Sequence, residues 1–209
     1  MGSNFIGIIS DSHGDINILK SAVINLKKKC SSIFHLGDIC QSYKYDNIDE
    51  CINILIKNNV NAIKGNNDHS IIVNINDNHK NRVNKNSISY IKSLPLVIYD
   101  NNYIFTHSLP FDKYLGLSCM IRTMDNQMAK LFFENYPDKI LFRGHSHKPE
   151  IMVNENGTII KKLISNGNVI NLNTFQSCII TCGALSEGFY LLLDTIKNEC
   201  VFQRALWKN

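Results

Sequence analysis

Five short polar phrases, spread over two thirds of the chain, constrain the fold more than any other feature. Each follows a run of residues with the pattern of a β-strand. The phrases are Asp11-Ser12-His13-Gly14, Gly37-Asp38, Gly65-Asn66-Asn67-Asp68, Thr106-His107 and Gly144-His145-Ser146-His147. Side chains at the ends of successive strands can converge on one edge of a sheet. The pattern therefore predicts one site assembled from distant parts of the sequence.

The side chains in these phrases have the chemistry of transition-metal ligands. Carboxylate and amide oxygens mixed with imidazole nitrogens suit Mn, Fe, Co, Ni or Zn better than Ca or Mg. The candidates number seven, too many for one such ion and about right for two: Asp11, His13, Asp38, Asn66, His107, His145 and His147. Asp38 is the candidate bridge, because a carboxylate has two oxygens and paired ions lie roughly 3.5–4 Å apart. The phrases predict a binuclear metallohydrolase.

The first third of the chain alternates strand and helix. The predicted strands are Asn4–Ser10, Ile33–Leu36 and Val60–Ile63, and the predicted helices run from residue 16 to about Lys29 and over Asn47–Asn58. Asp15 precedes the first helix and is interpreted as its N-cap rather than as a further acid of the site. This β-α-β-α-β order indicates parallel strands.

The rest of the chain is richer in strands. Asn101-Asn102 separates two strand-like runs and predicts a hairpin turn. The remaining predicted elements are strands at Leu96–Asp100, Tyr103–Thr106, Lys139–Arg143, Cys178–Cys182, Phe189–Asp194 and Cys200–Leu206, a helix at Met120–Asn135 and a turn at Glu155-Asn156-Gly157. Asn76–Asn86 is polar and is interpreted as a surface excursion. We find no repeat or linker and expect one domain over residues 1–209, built on two facing sheets.

Composition and charge narrow the functional classes. With 44% hydrophobic and 19% charged residues in 209, the chain has the composition of a soluble globular protein. The net charge of +4 is scattered, which argues against a specific nucleic-acid surface. The seven cysteines are odd in number and irregularly spaced, which indicates reduced thiols, and no apolar run has transmembrane length. We expect a cytoplasmic protein without membrane contact, and leave a homo-oligomer open.

Taken in order, the five phrases resemble the motif set of the calcineurin-like metallophosphoesterases. The length and the absence of insertions resemble the small bacterial and archaeal phosphodiesterase branch of that superfamily. The resemblance runs from Asp11 to His147, and the hairpins that follow resemble the closing sheet of the family. It implies an α/β (α+β) fold, a four-layer αββα sandwich in which helices flank two facing mixed β-sheets.

The resemblance also implies which residues share an ion. One metal would be held by Asp11, His13, Asp38 and His147, and the other by Asp38, Asn66, His107 and His145. A hydroxide bridging the ions would attack the phosphorus of a small phosphodiester or nucleotide in line. Manganese is the favoured metal, with Ni, Co, Fe and Zn as alternatives.

The chain departs from the family pattern in the third phrase. Asn67 stands where many members have a histidine, the usual candidate for protonating the leaving group. An amide can hydrogen-bond a phosphate oxygen but is no useful acid, so Asn67 is predicted to bind substrate and a phosphodiesterase is favoured. The alternative is a phosphomonoesterase for nucleotides or phosphoproteins, with His69 or bulk water as the acid.

Two further departures leave the substrate open. Ser108-Leu109-Pro110 replaces a glycine and histidine often found after His107, and Thr181-Cys182-Gly183-Ala184 stands where many relatives have Asn-Pro-Gly-Ser. A hypothesis of another class is a catalytically silent protein-binding scaffold of the same fold. Such relatives typically lose ligands, whereas all seven ligand positions are filled in this chain.

Other polar residues near the phrases have simpler interpretations. His35 is interpreted as a structural histidine at the edge of the site, and His79 as a solvated side chain. Arg143 either reaches the phosphate or points away along its strand. Lys113 and Arg122 lie in the segment after His107, where substrate loops could form.

Overall fold

A computed structural model describes residues 3–75 and 82–205 and consists of strands and helices in alternation, followed by strands alone. The strands are β1 (Phe5–Ile9), β2 (Ser32–His35), β3 (Asn61–Ala62), β4 (Val97–Asp100), β5 (Tyr103–Thr106), β6 (Ile140–Arg143), β7 (Glu150–Glu155), β8 (Thr158–Leu163), β9 (Val169–Asn171), β10 (Cys178–Thr181), β11 (Phe189–Asp194) and β12 (Glu199–Arg204). The helices are α1 (Ile16–Lys27), α2 (Ile48–Lys57), α3 (Asn66–Asn74), α4 (Lys85–Ser93), α5 (Asp112–Leu115) and α6 (Asn126–Asn135).

The strands form two mixed six-stranded sheets. The first has the order β3-β2-β1-β11-β12-β9, and the second has the order β4-β5-β6-β10-β7-β8. β1, β2 and β3 are parallel, as are β5, β6 and β10. The phrases at the carboxyl ends of these parallel strands are thereby brought to one edge of the sandwich.

The two sheets face each other across an apolar core. Phe34 of β2 stacks on Phe105 of β5 with ring centroids 4.0 Å apart, so side chains of the two sheets touch directly. Helices α1, α2 and α4 cover the outside of the first sheet through residues such as Leu19, Leu55 and Ile91. Phe132 of α6 belongs to a second outer core against the other sheet. The expected four-layer αββα sandwich is confirmed.

Local sequence signals explain several boundaries. The Asp15 side chain accepts a hydrogen bond from Ile18 N (3.0 Å), which confirms it as the N-cap of α1. The predicted hairpin around Asn101 is confirmed by the antiparallel pairing of β4 and β5. The turn between β7 and β8 has positive φ at Asn156 (52°) and Gly157 (85°), as a tight hairpin requires.

Three segments differ from the sequence prediction. α3 was not predicted, because its apolar residues are few and polar side chains fill its first turn. The polar segment Asn76–Asn86 lies partly outside the described residues, and helix α4 begins within it at Lys85. The helix predicted over Met120–Asn135 is wrong in its first part. Asp125 is extended (ψ −178°) and caps α6, so that helix starts only at Asn126.

The cysteines lie in the interior of the protein. All seven cysteines are free and buried, and Cys178 and Cys182 lie in the core between the sheets. Within residues 3–75 and 82–205, no helix has the length and apolar character needed to cross a bilayer.

Candidate metal centre

The loops that carry the phrases have strained backbones. Five residues in them adopt positive φ without being glycine: Asp11 (55°), His13 (48°), Asp38 (54°), His145 (69°) and His147 (60°). Most other described residues of this kind are turn asparagines, which tolerate the left-handed region well. Such backbone costs on the order of 1–3 kcal/mol per residue and persists where the surrounding structure enforces it. All five are candidate metal ligands, so the strain is concentrated at the predicted site.

Glycines allow these loops to approach one another closely. A Cβ on Gly144 would lie 2.6 Å from Asp11 Oδ2, and a Cβ on Gly37 would lie 2.9 Å from His107 Nδ1. Both distances are shorter than real side-chain contacts. The glycines beside the candidate ligands are therefore needed for the convergence of the loops.

Asp11, His13 and His147 form a half-exposed cluster at this edge. His13 Nε2 lies 3.0 Å from His147 Nε2, and Asp11 Oδ1 lies 3.5 Å from the same atom of His147. The Asp11 side chain is fully buried, while 37% of the His147 side chain is exposed. A ligand atom from each of the three residues lies within 4.8 Å of the others, close enough to hold one ion.

Asp11, Asp38 and His107 form a second, fully buried cluster. His107 Nε2 lies 3.5 Å from Asp38 Oδ1 and 3.0 Å from Asn66 Oδ1. His107 Nδ1 is 2.8 Å from the carbonyl oxygen of Leu36, to which it must donate. In the neutral ring this leaves Nε2 unprotonated, with its lone pair directed toward the carboxylate and the amide.

His145 joins the two clusters. Its Nδ1 lies 3.2 Å from His107 Nε2, and its backbone N–H donates to Asp11 Oδ2 (3.0 Å). The structure thus brings all seven candidate ligands together, from loops that are up to 136 positions apart in the sequence, Asp11 to His147.

A buried oxygen that lacks a partner fits a cation. Within the described chain, Asp11 Oδ1 has no hydrogen-bond partner although it is inaccessible to solvent. Unpaired buried polar atoms of this kind are costly and call for an explanation, such as an ion. The donor set, with hard oxygens and imidazoles, also suits divalent transition metals. The residues present therefore fit divalent metal binding.

Burial and neighbouring charges shift the titration of the half-exposed cluster. Burial works to raise the pKa of Asp11, but the contacts with His147 and Ser10 outweigh it and hold this pKa well below its usual range. The contact with Asp11 in turn raises the pKa of His147. Asp11 is therefore ionised at every physiological pH.

The more enclosed imidazoles shift the other way. Burial lowers the pKa of His13, although the carboxylates nearby oppose the change. Burial, together with the charges of His107 and Arg143, lowers the pKa of His145 to about 4. Because their pKa values are lowered, both rings are neutral at neutral pH. The neutral imidazole is the form that binds a metal.

Asn67 holds Asp38 in place. Its backbone N–H and its Nδ2 donate to the two oxygens of Asp38, at 2.8 and 2.6 Å. Its Oδ1 accepts from the hydroxyl of Ser42 (2.6 Å). These protein partners occupy the Asn67 side chain. Its predicted contact with substrate stays a prediction.

Asp68 is a polar residue of the site to which sequence reasoning gave no role. Its fully buried carboxylate accepts from the backbone N–H groups of Ile39 (3.1 Å), Cys40 (3.2 Å) and Gly65 (2.9 Å). Burial and the charge of Asp38 raise its pKa to about 7. Asp68 lies three residues after Gly65, the N-cap of α3. An acid at this position is typical of a capping box, and this was the signal in the sequence.

Arg143 points away from the metal ligands into a buried network. Its Nε donates to Ser108 O (2.9 Å) and its Nη1 to Thr181 Oγ1 (3.0 Å). Glu150 lies 4.0 Å away and also pairs with Lys161 at 2.8 Å. Ser108 and Thr181, two of the departures from the family pattern, are thus joined by one guanidinium. Through its hydrogen bonds to Ser108, Arg143 supports the loop after His107.

The other residues singled out in the sequence lie around this centre. His35 is fully buried, and its Nε2 is hydrogen-bonded to Ser12 Oγ (2.9 Å). Burial lowers the pKa of His35 to about 3. His69 is half-buried on α3, Lys113 is exposed on α5, and the carbonyl of Arg122 accepts from Ser108 Oγ (2.5 Å). His79 lies outside the described residues.

Comparison with known proteins identifies the family. The sequence model of the calcineurin-like phosphoesterase superfamily domain matches residues 5–181. No curated protein sequence matches the chain. A metallophosphoesterase from Sphaerobacter thermophilus shares the fold with a TM-score of 0.79 and 22% identity, over 99% of this chain and 90% of its own.

Two more distant structures share the same architecture. An archaeal phosphodiesterase matches with a TM-score of 0.52 and 18% identity, over 96% of this chain and 99% of its own. A protein serine/threonine phosphatase from Saccharomyces cerevisiae matches with a TM-score of 0.52 and 14% identity, over 97% of this chain and 80% of its own. At such identities the likeness shows the fold alone. The family match, however, covers most of the sequence, and the chain belongs to the calcineurin-like phosphoesterase superfamily.

Proposed function

We propose that this protein is a two-metal phosphodiesterase that hydrolyses a small phosphodiester or nucleotide, with residues 1–209 acting as one domain. The observation that carries the proposal is the convergence of seven oxygen and imidazole donors on one edge of the sandwich. His13 Nε2 faces His147 Nε2 at 3.0 Å, and His107 Nε2 faces Asn66 Oδ1 at 3.0 Å. Oxygen and imidazole donors that face one another at this distance suit cations held between them.

The ligands divide between two ions, with manganese favoured. The half-exposed ion would be held by Asp11, His13, Asp38 and His147, and the buried ion by Asp38, Asn66, His107 and His145. When bound, such ions supply Lewis acidity and activate water for attack on phosphorus. The fixed orientation of the donors is the contribution of the protein, and it comes from the hydrogen bonds to Leu36 and Asn67.

The environment of Asn67 supports a diester rather than a monoester substrate. Its amide is bound to Asp38 and Ser42, and it carries no proton that it could give to a leaving group. His69 has no hydrogen bond or ion pair within the described chain that would hold it toward the centre. A reaction with little help from a protein acid favours substrates whose leaving group departs readily, such as activated diesters.

The test is hydrolysis of a bis-aryl and a mono-aryl phosphate by chelator-treated protein, with Mn, Ni, Co, Zn or Mg added back. We expect metal-dependent cleavage that favours the bis-aryl phosphate. The variant His69→Gln should retain this activity, because no acid role is assigned to His69.

Other results would move the assignment. Preference for the mono-aryl phosphate, together with its loss in His69→Gln, would establish the phosphomonoesterase alternative. Protein that binds none of the metals and cleaves neither substrate would instead establish the scaffold of the same fold. Two ions per chain, measured by isothermal titration, would support the binuclear assignment.

A further inference from the structure

A groove with a volume of about 560 Å³ opens directly beside the half-exposed cluster. His13 is one of its lining residues, so the groove reaches the candidate metal centre. The groove continues along the start of α1 on one side and the segment before α2 on the other. The residues that line it beyond the metal centre include Asn17, Lys44, Asn47, Glu50 and Ser186.

The walls of this groove are held by hydrogen bonds. Asn47 Nδ2 donates to Gly14 O (2.9 Å), and Gly14 N donates to Ile39 O (2.9 Å). The wall at Ser186 is tied to the loop after β1 by its N–H, which donates to Asp11 O (3.2 Å). The groove is therefore a formed feature of the fold.

Four polar side chains of the groove are exposed and unused by the protein. Within the described chain, the side chains of Asn17, Lys44, Glu50 and Ser186 have no hydrogen bond or ion pair. Together they present an amide, an ammonium, a carboxylate and a hydroxyl. Such a set both donates and accepts hydrogen bonds, which is what a group with several hydroxyls requires.

The same lining disfavours a nucleoside or a second phosphate as the substituent of a phosphodiester. Among residues 3–75 and 82–205, no phenylalanine, tyrosine or tryptophan lines the groove, and Ile16 is its one aliphatic side chain of any size. A nucleobase is usually bound by stacking on an aromatic ring or a similar flat surface. Glu50 offsets the charge of Lys44, and Asp15 adds a second carboxylate, so a further phosphate is also poorly matched.

We propose that this groove binds a polyhydroxylated alcohol group of the substrate, of the glycerol or sugar type. The inference rests on the proposed phosphodiesterase function and narrows it. The phosphate would lie at the metal centre, and its polyol substituent would extend past His13 toward Asn17 and Lys44.

The test compares three diesters with the metal-loaded full chain: glycerophosphoglycerol, a dinucleoside monophosphate and a bis-aryl phosphate. We expect kcat/KM for glycerophosphoglycerol to exceed that for the dinucleoside monophosphate at least tenfold. Asn17→Ala and Lys44→Met should each lower the ratio of glycerophosphoglycerol to bis-aryl activity by roughly tenfold, through KM. The matched controls Asn53→Ala and Lys57→Met, on exposed positions of α2, should leave the ratio unchanged.

A binding measurement gives a second readout that does not depend on turnover. Glycerol 3-phosphate should shift the side-chain amide resonances of Asn17 and Asn47, and thymidine monophosphate should shift them much less. Equal or better cleavage of the dinucleoside monophosphate, or an unchanged ratio in both groove variants, would overturn the polyol assignment while leaving the phosphodiesterase intact. If no diester is cleaved with any metal, the proposed function fails and this inference fails with it.

Discussion

The two ligand clusters of the candidate metal centre differ in how the protein holds them. In the buried cluster, His107 is fixed by Leu36 O and Asp38 is fixed by Asn67. In the half-exposed cluster, the rings of His13 and His147 contact each other, and His13 Nδ1 has no partner within the described residues. Protein hydrogen bonds orient the ligands of the buried cluster, whereas fewer protein contacts orient the imidazoles of the half-exposed cluster.

This difference predicts unequal roles for two ions in one centre. A site whose ligands are already oriented loses less conformational freedom on binding and holds its ion more tightly. The half-exposed ion should exchange with solvent more readily, and it lies next to the groove. The buried ion would provide a fixed charge, and the half-exposed one would meet the substrate first.

Asp38→Asn should have the largest effect, because Asp38 is the ligand that we assign to both proposed ions. We expect turnover of a bis-aryl phosphate to fall by at least 1000-fold, on the order of the loss seen when a charge-stabilising group is removed. Metal binding should fall from two ions to one, with the fold retained by circular dichroism. Asp125→Asn, at the N-cap of α6, is the matched control and should keep full activity. Activity near wild type in Asp38→Asn would remove the bridging role.

Alanine substitutions of His107 and His13, one from each cluster, test whether the protein holds the two clusters differently. His107→Ala should remove the buried ion and also lower the free energy of unfolding by about 2 kcal/mol, since it deletes a buried ring and its bond to Leu36 O. His13→Ala should remove the half-exposed ion with a change in stability below about 1 kcal/mol. Urea unfolding of the metal-free variants and metal titration measure both. Equal stability losses would contradict the difference in preorganisation.

Arg143→Met tests the support beneath the buried cluster. The variant leaves Ser108 O and Thr181 Oγ1 without their donor and removes the guanidinium beside Glu150, so we expect a loss of about 3 kcal/mol in unfolding free energy. Arg204→Met, which removes an exposed guanidinium from the Phe189 ring, should cost less than about 1 kcal/mol. A loss in Arg143→Met no larger than in the control would show that the network is dispensable.

Asp68 should give the stability of the protein a pH dependence. Its pKa is raised to about 7 in the folded state, so between pH 4 and 7 the folded protein binds more protons than the unfolded one. The contribution of Asp68 to the free energy of unfolding should therefore decrease as pH rises through this window. Urea unfolding of metal-free protein at several pH values checks this, and Asp68→Asn should remove that part of the slope. An identical slope in wild type and variant would contradict the assignment.

The fold was largely predictable where the hydrophobic period was strong. β1 is a continuous apolar run, and α1 begins at an aspartate cap. α3 was missed because it begins at Gly65 and is held by Asp68, and neither its apolar content nor its period separates it from a loop. Contacts made across the fold, rather than local propensity, determine such a segment.

The candidate site was predictable as a set of residues but not as a network. The ligands stand out because acids and imidazoles directly after apolar strands are unusual. The direction of Arg143 could not be read in the same way, since every residue of β6 is buried and the alternation of inward and outward faces disappears. The role of Asp68 also required three dimensions, because its partners at Ile39 and Cys40 come from another loop.

The order of strands has a consequence for how this protein is made. β1, which presents Asp11, lies between β2 and β11, and β6, which presents His145, lies between β5 and β10. All seven ligands are synthesised by residue 147, yet the second sheet is complete only with β10 (Cys178–Thr181) and the first only with β12 (Glu199–Arg204). A nascent chain thus carries every metal ligand well before it has the framework to orient them. Metal loading should be a late step of biosynthesis, and it should require nearly the whole described chain.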